Sequence, residues 1–309
     1  MYEPKALTTA ANSGAELVNV YDKIVQDSVY NDWVTLRLFG EESGSGVPHF
    51  KTRTGRNSQA TYYAENDPII TGQTAKIDVR FYWKLYKAPV EVTGLEIESA
   101  KATGGELADI YNYELRTSTE DMTNNMNADV HSTGTEAAAG GALAGLKRLV
   151  DDGTNYGTLY GVTRDGSNWV SGGYDEDAEA LSLDLMRTMK RTCEQTGAKV
   201  GNLVFVTSFK QRDKYKGLIQ DLQRLPPVAN VAGFGSVPSF DGVGIIADKE
   251  CDDDYLYCLD ISTFKRRVLL APTVKALPSQ KDAEAGFART YLEVVCKQAN
   301  RSFKKINLT

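Results

Sequence analysis

The chain has 309 residues, of which 41% are hydrophobic, with 35 basic against 41 acidic side chains and a net charge of -6. That apolar share suffices for one large core or two modest ones. The acidic balance lacks the basic footprint that phosphate neutralisation demands of a sequence-specific reader of DNA or RNA.

No apolar run approaches the ~20 residues that span a bilayer, and the start MYEPKALTTAANSG lacks a basic segment followed by an apolar block. The expectation is a cytosolic chain with no membrane association. Cys193, Cys251, Cys258 and Cys296 stand at irregular separations without a CxxC pair, which argues for free thiols over a zinc knuckle or a disulfide framework. His49 and His131 lie far apart and outside any motif, so most catalytic schemes lack the usual neutral-pH acid-base residue. Each is expected to be structural or solvent-facing.

Residues 1–14 show little apolar periodicity and read as an extended arm. Leu17, Val20, Tyr21, Ile24 and Val25 recur at helical spacing and predict an amphipathic helix over about 15–30. After the break EESGSG, the segment KIDVRFYWKL alternates: Ile77, Val79, Phe81, Trp83 and Leu85 against Asp78, Arg80, Tyr82 and Lys84. That is the period of one strand. VPHFKTRT upstream is placed to pair with it, leaving a long tip over about 55–74 rich in Gly, Asn, Asp and Pro. A hairpin with so little core of its own is expected to be a functional flap or an arm lying on another subunit. For an arm of the second kind, Arg80, Tyr82, Trp83 and Lys84 are the candidate inter-subunit contacts.

Leu107, Ile110, Tyr111, Leu115, Met122, Met126 and Val130 fall three, four or seven apart and predict one long helix, roughly 40 Å in length. Its methionines read as packing and not as a cofactor pocket. The small-residue run TGTEAAAGGALAGL marks a junction, and LYGVTRDGSNWVSGGYDED reads as surface loop. Ser182 is placed to cap LDLMRTMKRTCEQT, with Leu185, Met189 and Cys193 on one face and Gly197 as the stop. LVFVT is a compact strand, and Ser208 and Gln211 then have capping-box spacing ahead of FKQRDKYKGLIQD. Helix, strand and helix argue for an α+β or α/β layer. PPVANVAGFGSVPSFDG reads as loop, and GIIADK, YLYCLDI and RVLLAP as short strands. RTYLEVVCKQANRSFKKINL reads as two strands turning near Asn300, the first with Leu292, Val294 and Cys296 on one face.

The most chemically suggestive window is ADKECDDDYLYCLD, residues 247–260. Asp252, Asp253 and Asp254 offer metal-binding oxygens, but calcium loops alternate their ligands around a central Gly. Consecutive side chains on an extended backbone also point to opposite faces, and zinc spacing is absent. ECDDD is therefore expected to be the solvated turn between two antiparallel strands, IIADK and YLYCLD. GxSxG, Walker, HExxH and dinucleotide fingerprints are missing, so no catalytic, cofactor or metal residue is assigned. No isolated Ser or Lys nucleophile stands out from the bulk of the surface, and the enzymatic reading carried forward is a metal-dependent hydrolase centred on Asp252 to Asp254.

Taken in order, these elements resemble the tailed-phage major capsid proteins of the Hong Kong 97 type. The resemblance is carried by the hairpin from VPHFKTRT to KIDVRFYWKLYKAPVEVT, the helix GELADIYNYELRTSTEDMTNNMNADV, and GLKRLVDD followed by YGTLYGVTRDGSNW. LSLDLMRTMKRTCEQTGAKVGNLVFVTSFKQRDKY, FGSVPSFDGVGIIADKECDDDYLYCLDISTF and the closing YLEVVCKQANRSFKKI agree with it, so it covers nearly the whole chain. It implies an α+β fold with an N-terminal arm at 1–44 and an extended hairpin, the E-loop, at 45–88. A peripheral (P) domain with a long spine helix would take 89–134 and 277–309, and an axial (A) domain 135–276, with the acidic turn in the latter.

The resemblance further implies a structural, non-enzymatic subunit without cofactors. It would self-assemble as pentamers and hexamers of an icosahedral virion head, built in the host cytoplasm. The implied partners are a portal protein, scaffolding and decoration proteins, and packaged double-stranded DNA held without sequence-specific binding. Only a short arm precedes the first helix, so a fused scaffold is not expected, and no residue is assigned to a crosslink between subunits. An encapsulin-like compartment, with the same fold around enzyme cargo, is the runner-up.

Overall fold

The structure, a computed structural model, describes residues 14–309 apart from 45–47, 54, 56, 104–106, 136–140, 165–171, 222–227, 232–233 and 279–281. The extended stretch expected over residues 1–14 falls almost wholly outside the described residues. Helix α1 (Gly14–Asp32) follows its expected period, with Tyr21, Val25 and Val29 buried along one face. One turn of helix, α2 (Thr35–Leu38), and a short strand, β1 (Gly40–Ser43), lead to β2 (His49–Arg53) and β3 (Lys76–Arg80). These two strands pair antiparallel, from His49 opposite Arg80 to Arg53 opposite Lys76, as the alternating pattern predicts.

The single strand expected over 76–85 is in fact two. Residues 81–83 leave the ladder, and β4 (Lys84–Thr93) resumes with its phase reversed. Val79 points inward before the break, whereas Lys84, Ala88, Val90 and Val92 do so after it, and Leu85 is 48% exposed. A three-residue interruption is an odd number, so every later side chain moves to the opposite face. Pro89 is tolerated within β4 because this strand lies at a sheet edge.

Helix α3 (Gly94–Thr103) has no counterpart in the expected elements. A reciprocal cap starts it: the Thr93 N–H donates to Glu96 Oε2 at 2.9 Å and the Glu96 N–H donates to Thr93 Oγ1 at 3.4 Å. The long helix α4 (Leu107–His131) buries Tyr111, Leu115, Met122, Met126 and Val130 against α1 and β4, so its methionines are packing. Beyond it, the junction is written in small residues for a geometric reason. A Cβ on Gly145 would lie 1.8 Å from the Ser132 carbonyl oxygen, and one on Gly134, at φ 68°, would lie 1.9 Å from that of Leu143.

After the junction come one helical turn, α5 (Leu146–Leu149), and the short strand β5 (Thr158–Leu159), and the region expected as loop holds two more short strands, β6 (Val162–Thr163) and β7 (Gly173–Asp175). Helix α6 (Leu183–Gln195) is capped as expected: the Leu185 N–H donates to Ser182 Oγ at 3.1 Å, and Gly197 ends it at φ 97°. Strand β8 (Leu203–Thr207) and helix α7 (Phe209–Asp221) follow. The stretch PPVANVAGFGSVPSFDG, expected as loop, contains the antiparallel strands β9 (Val228–Val231) and β10 (Gly235–Phe240). Then come β11 (Val243–Ala247), β12 (Leu256–Asp260), the long pair β13 (Phe264–Leu277) and β14 (Ala283–Cys296), and β15 (Phe303–Lys305).

Two sheets organise these elements. One has the order β1-β13-β14-β4 and is covered by α1 and α4; the other has the order β7-β15-β12-β8-β11-β10-β9. Helices α6 and α7 cover one face of the second sheet, burying Leu185, Met189, Cys193, Phe205 and Tyr215 together. On its other face Val204, Val206 and Tyr257 join the larger core with α4 and the first sheet. With both faces covered, β8 reads as an unbroken apolar run, as sheets buried on both sides do. The two strands expected to turn near Asn300 are divided: β14 lies in the first sheet and β15 in the second.

Candidate subunit interface

The β2–β3 hairpin is anchored at its root and bare at its tip. Phe50, Val79 and Phe81 are buried, and the Phe50 ring meets Tyr160 edge-on at 6.1 Å. Every residue from 58 to 73 is exposed, including Tyr62 at 100% and Ile69 at 82%. The tip is nonetheless shaped, since the Asn57 amide donates to the Gly72 carbonyl at 3.3 Å and the Ala64 N–H to Asp67 Oδ2 at 2.9 Å. It folds around a cleft of about 360 Å³ lined by Tyr62, Tyr63, Pro68, Ile69 and Ile70. Among the described residues these side chains pack on no part of the core and form an exposed apolar patch far from it.

Of the four contact residues expected from the sequence, Arg80 and Tyr82 are exposed near the hairpin root. Trp83 is half-buried and lies over Gly44, where a Cβ would come within 2.2 Å of its ring. Lys84 needs correction. It is fully buried, and Nζ donates to the Thr135 carbonyl at 2.5 Å, because the reversed phase turns it into the chain's own core. Its side chain is thus closed to a neighbour.

The acidic window also differs from its expected form. Strand β11 runs parallel to β8 and β12 antiparallel to it, so β8 lies between them and ECDDD is a crossover, not the turn of a hairpin. Asp252 pairs with Lys147. Asp253 and Asp254 contribute backbone carbonyls, which accept from Gln211 Nε2 at 2.6 Å and from the Leu308 N–H at 3.0 Å. Gln211 thus completes only half of its capping box: its N–H donates to Ser208 Oγ at 3.4 Å while its side chain pins the crossover. Among the described residues no group of three or more His, Cys, Asp or Glu is placed to hold a metal ion. All four cysteines are free and buried, and burial pushes the Cys296 thiol up to about 12.

Sequence reasoning missed one buried polar cluster. Thr35 Oγ1 donates to Asp248 Oδ2 at 2.6 Å, and His131 Nε2 lies 2.9 Å from that hydroxyl and 3.0 Å from the same carboxylate oxygen. All three residues are buried, so the cluster joins α2, the end of α4 and the segment after β11 without facing solvent. Substrate has no access there. The only signal in the sequence was a polar residue ending each apolar run.

Comparison with known proteins bears on this geometry. A scan against family models and a search of curated sequences gave no match. Solved structures do match over nearly the whole length. The capsid asymmetric unit of cyanophage A-1(L) aligns with a TM-score of 0.68 at 14% identity, covering 100% of this chain and 97% of that one. The virus-like particle from Pyrococcus furiosus aligns at 0.55 and 11% identity, covering 94% and 99%. The holo-SrpI encapsulin complex from Synechococcus elongatus aligns at 0.57 and 10% identity, covering 88% and 86%. The chain therefore has the α+β fold of Hong Kong 97-type shell proteins, a fold seen in both phage capsids and encapsulins.

Proposed function

We propose that the chain is the major capsid protein of a tailed double-stranded DNA virus, self-assembling as pentamers and hexamers of an icosahedral head. The observation that carries this reading is the hairpin tip, shaped and apolar yet uncovered by its own chain. In this reading β2 and β3 form the E-loop, α4 is the spine helix of the peripheral domain, and the seven-stranded sheet is the core of the axial domain. The role is structural, not enzymatic. Each subunit engages several neighbours, so individually modest contacts close a stable shell. Portal, scaffolding and decoration proteins are its further partners, and the acidic balance suits a virion that contains DNA without gripping its sequence.

A second reading, an encapsulin-like compartment around enzyme cargo, is favoured by the likeness to the Synechococcus encapsulin. Negative-stain microscopy of the purified chain tests both readings. Uniform closed shells are expected, and particles of monomer size under all conditions would count against both. Nucleic acid inside shells from the native source supports the capsid, whereas a co-purifying enzyme supports the compartment.

A further inference from the structure

A cavity of about 310 Å³ lies where the hairpin leaves the body, and four of its lining residues are cationic: Lys51 and Arg53 on β2, and Lys297 and Arg301 beyond β14. No lining residue is acidic. Lys297 Nζ pairs with Glu42 at 3.0 Å, while Arg301 approaches Asp260 only at 3.8 Å. Lys51 makes no ion pair or hydrogen bond among the described residues, although Asp78 stands opposite it in the ladder. Gln298 adds a neutral amide to the wall.

We propose that this cavity binds a phosphate group that bridges the hairpin to the body. Like charges around one cavity repel, and a multivalent anion replaces that repulsion with charge-assisted hydrogen bonds. The guanidinium fork of Arg301 matches phosphate oxygens in pairs, as lysines alone do not, and Arg53, whose Nε donates to the Gly55 carbonyl at 2.9 Å, adds its charge from the hairpin. Two cations ride on the hairpin and two on the body, so the ion acts beside a direct link, the 2.5 Å bond from Thr52 Oγ1 to the Lys297 carbonyl. The occupied site would stiffen the angle at which the arm projects. Free inorganic phosphates and a nucleic-acid backbone share this chemistry. The inference goes beyond the shell reading and does not rest on it.

Titration calorimetry of the full-length chain with inorganic pyrophosphate, at fixed ionic strength and against a chloride control, is the test. Saturable binding is expected, weakened at least about tenfold in K51Q/R53Q and again in K297Q. Lys51 and Arg53 are exposed, so the double variant should melt like the parent, and K297Q leaves Glu42 its 3.0 Å pair with Arg267. Heat no greater than the chloride control, or equal binding by both variants, would overturn the proposal. A short DNA duplex forms the second arm: duplex that binds and is displaced by pyrophosphate identifies backbone phosphate as the source. Pyrophosphate binding without duplex binding assigns the site to a free anion.

Discussion

His131 Nε2 and Asp248 Oδ2 lie 3.0 Å apart, both buried, on segments separated by more than a third of the chain. Burial alone would raise the Asp248 carboxyl, but the His131 hydrogen bond, its proximity and the Thr35 hydroxyl outweigh burial and hold it below the usual carboxylate range. A folded value below the unfolded one makes a contribution that is full above the unfolded value, about 4, and is lost as pH falls through the folded value. Asp248→Asn should therefore destabilise the chain at neutral pH by roughly 3–5 kcal/mol, the cost of stranding one member of a buried pair. Urea unfolding should also show a smaller loss of stability between neutral and acid pH in the variant than in the parent. Equal losses in the two would contradict this assignment.

The reversed phase at residues 81–83 makes neighbouring positions behave against their chemistry. Lys84→Ala should cost roughly 2–4 kcal/mol, because it strands the Thr135 carbonyl and opens a cavity beneath α4. Leu85→Ser should stay within about 1 kcal/mol, since Leu85 is 48% exposed. Unbroken alternation through Trp83 would demand the reverse order, so thermal melts of the two variants decide between the patterns.

What could be read from the sequence was local, and what could not was set by distant partners. Helices α1, α4 and α6 were legible because their apolar residues repeat at helical spacing and Ser182 marks a start. Helix α3 carries its cap in Thr93 and Glu96, a readable signal that its weak apolar face obscured. Strands β9 and β10 read as loop because Gly235 and Pro238 lie in a hairpin at the sheet edge. The fully buried Lys305 could not be foreseen, because its counter-charges, Asp175 at 2.7 Å and Glu179 at 3.0 Å, lie more than a hundred residues away. The placing of β8 between β11 and β12 is likewise a long-range choice with no trace in ECDDD. The hairpin arm was legible for the opposite reason, the absence of anything local to pack on.

Gly145 is a position where one methyl group should be decisive. A Cβ there meets the Ser132 backbone oxygen at 1.8 Å, and backbone cannot move aside as a flexible side chain would. Gly145→Ala should lose upwards of about 3 kcal/mol. By contrast Gly201→Ala, where nothing lies within 4 Å of the added atom, should be close to neutral. Paired denaturant melts would show the difference, and similar midpoints would mean that the junction relaxes.

The crossover pinned by Gln211 allows the metal question to be closed by experiment. Gln211→Ala removes the bond to the Asp253 carbonyl and should cost about 1–2 kcal/mol. Replacing Asp252, Asp253 and Asp254 together with Asn should leave metal content unchanged, because their carboxylates serve Lys147 and solvent and do not converge. Stoichiometric metal in the parent, lost in the triple variant, would reinstate the hydrolase reading.

Folding and assembly can be separated at the hairpin tip. Tyr62, Ile69 and Ile70 lie on the tip at 100%, 82% and 66% exposure, so their replacement by Ser removes no contact from the chain's own core. Stability of the isolated chain should change by less than about 0.5 kcal/mol per site. If the tip is the arm that a neighbour covers, the triple variant should stay soluble and folded yet fail to form closed particles in microscopy and sedimentation. Val79→Ala at the hairpin root supplies the contrast: it should lower the melting temperature of the chain itself, because Val79 is fully buried beside Phe50 and Phe81. Shells of normal yield and size from the tip variant would remove the hairpin from the interface, while shells lost only in proportion to lost stability would reduce its role to folding. Loss of shells at full stability is the outcome that a surface built for another subunit requires, because such a surface contributes nothing until the second copy arrives.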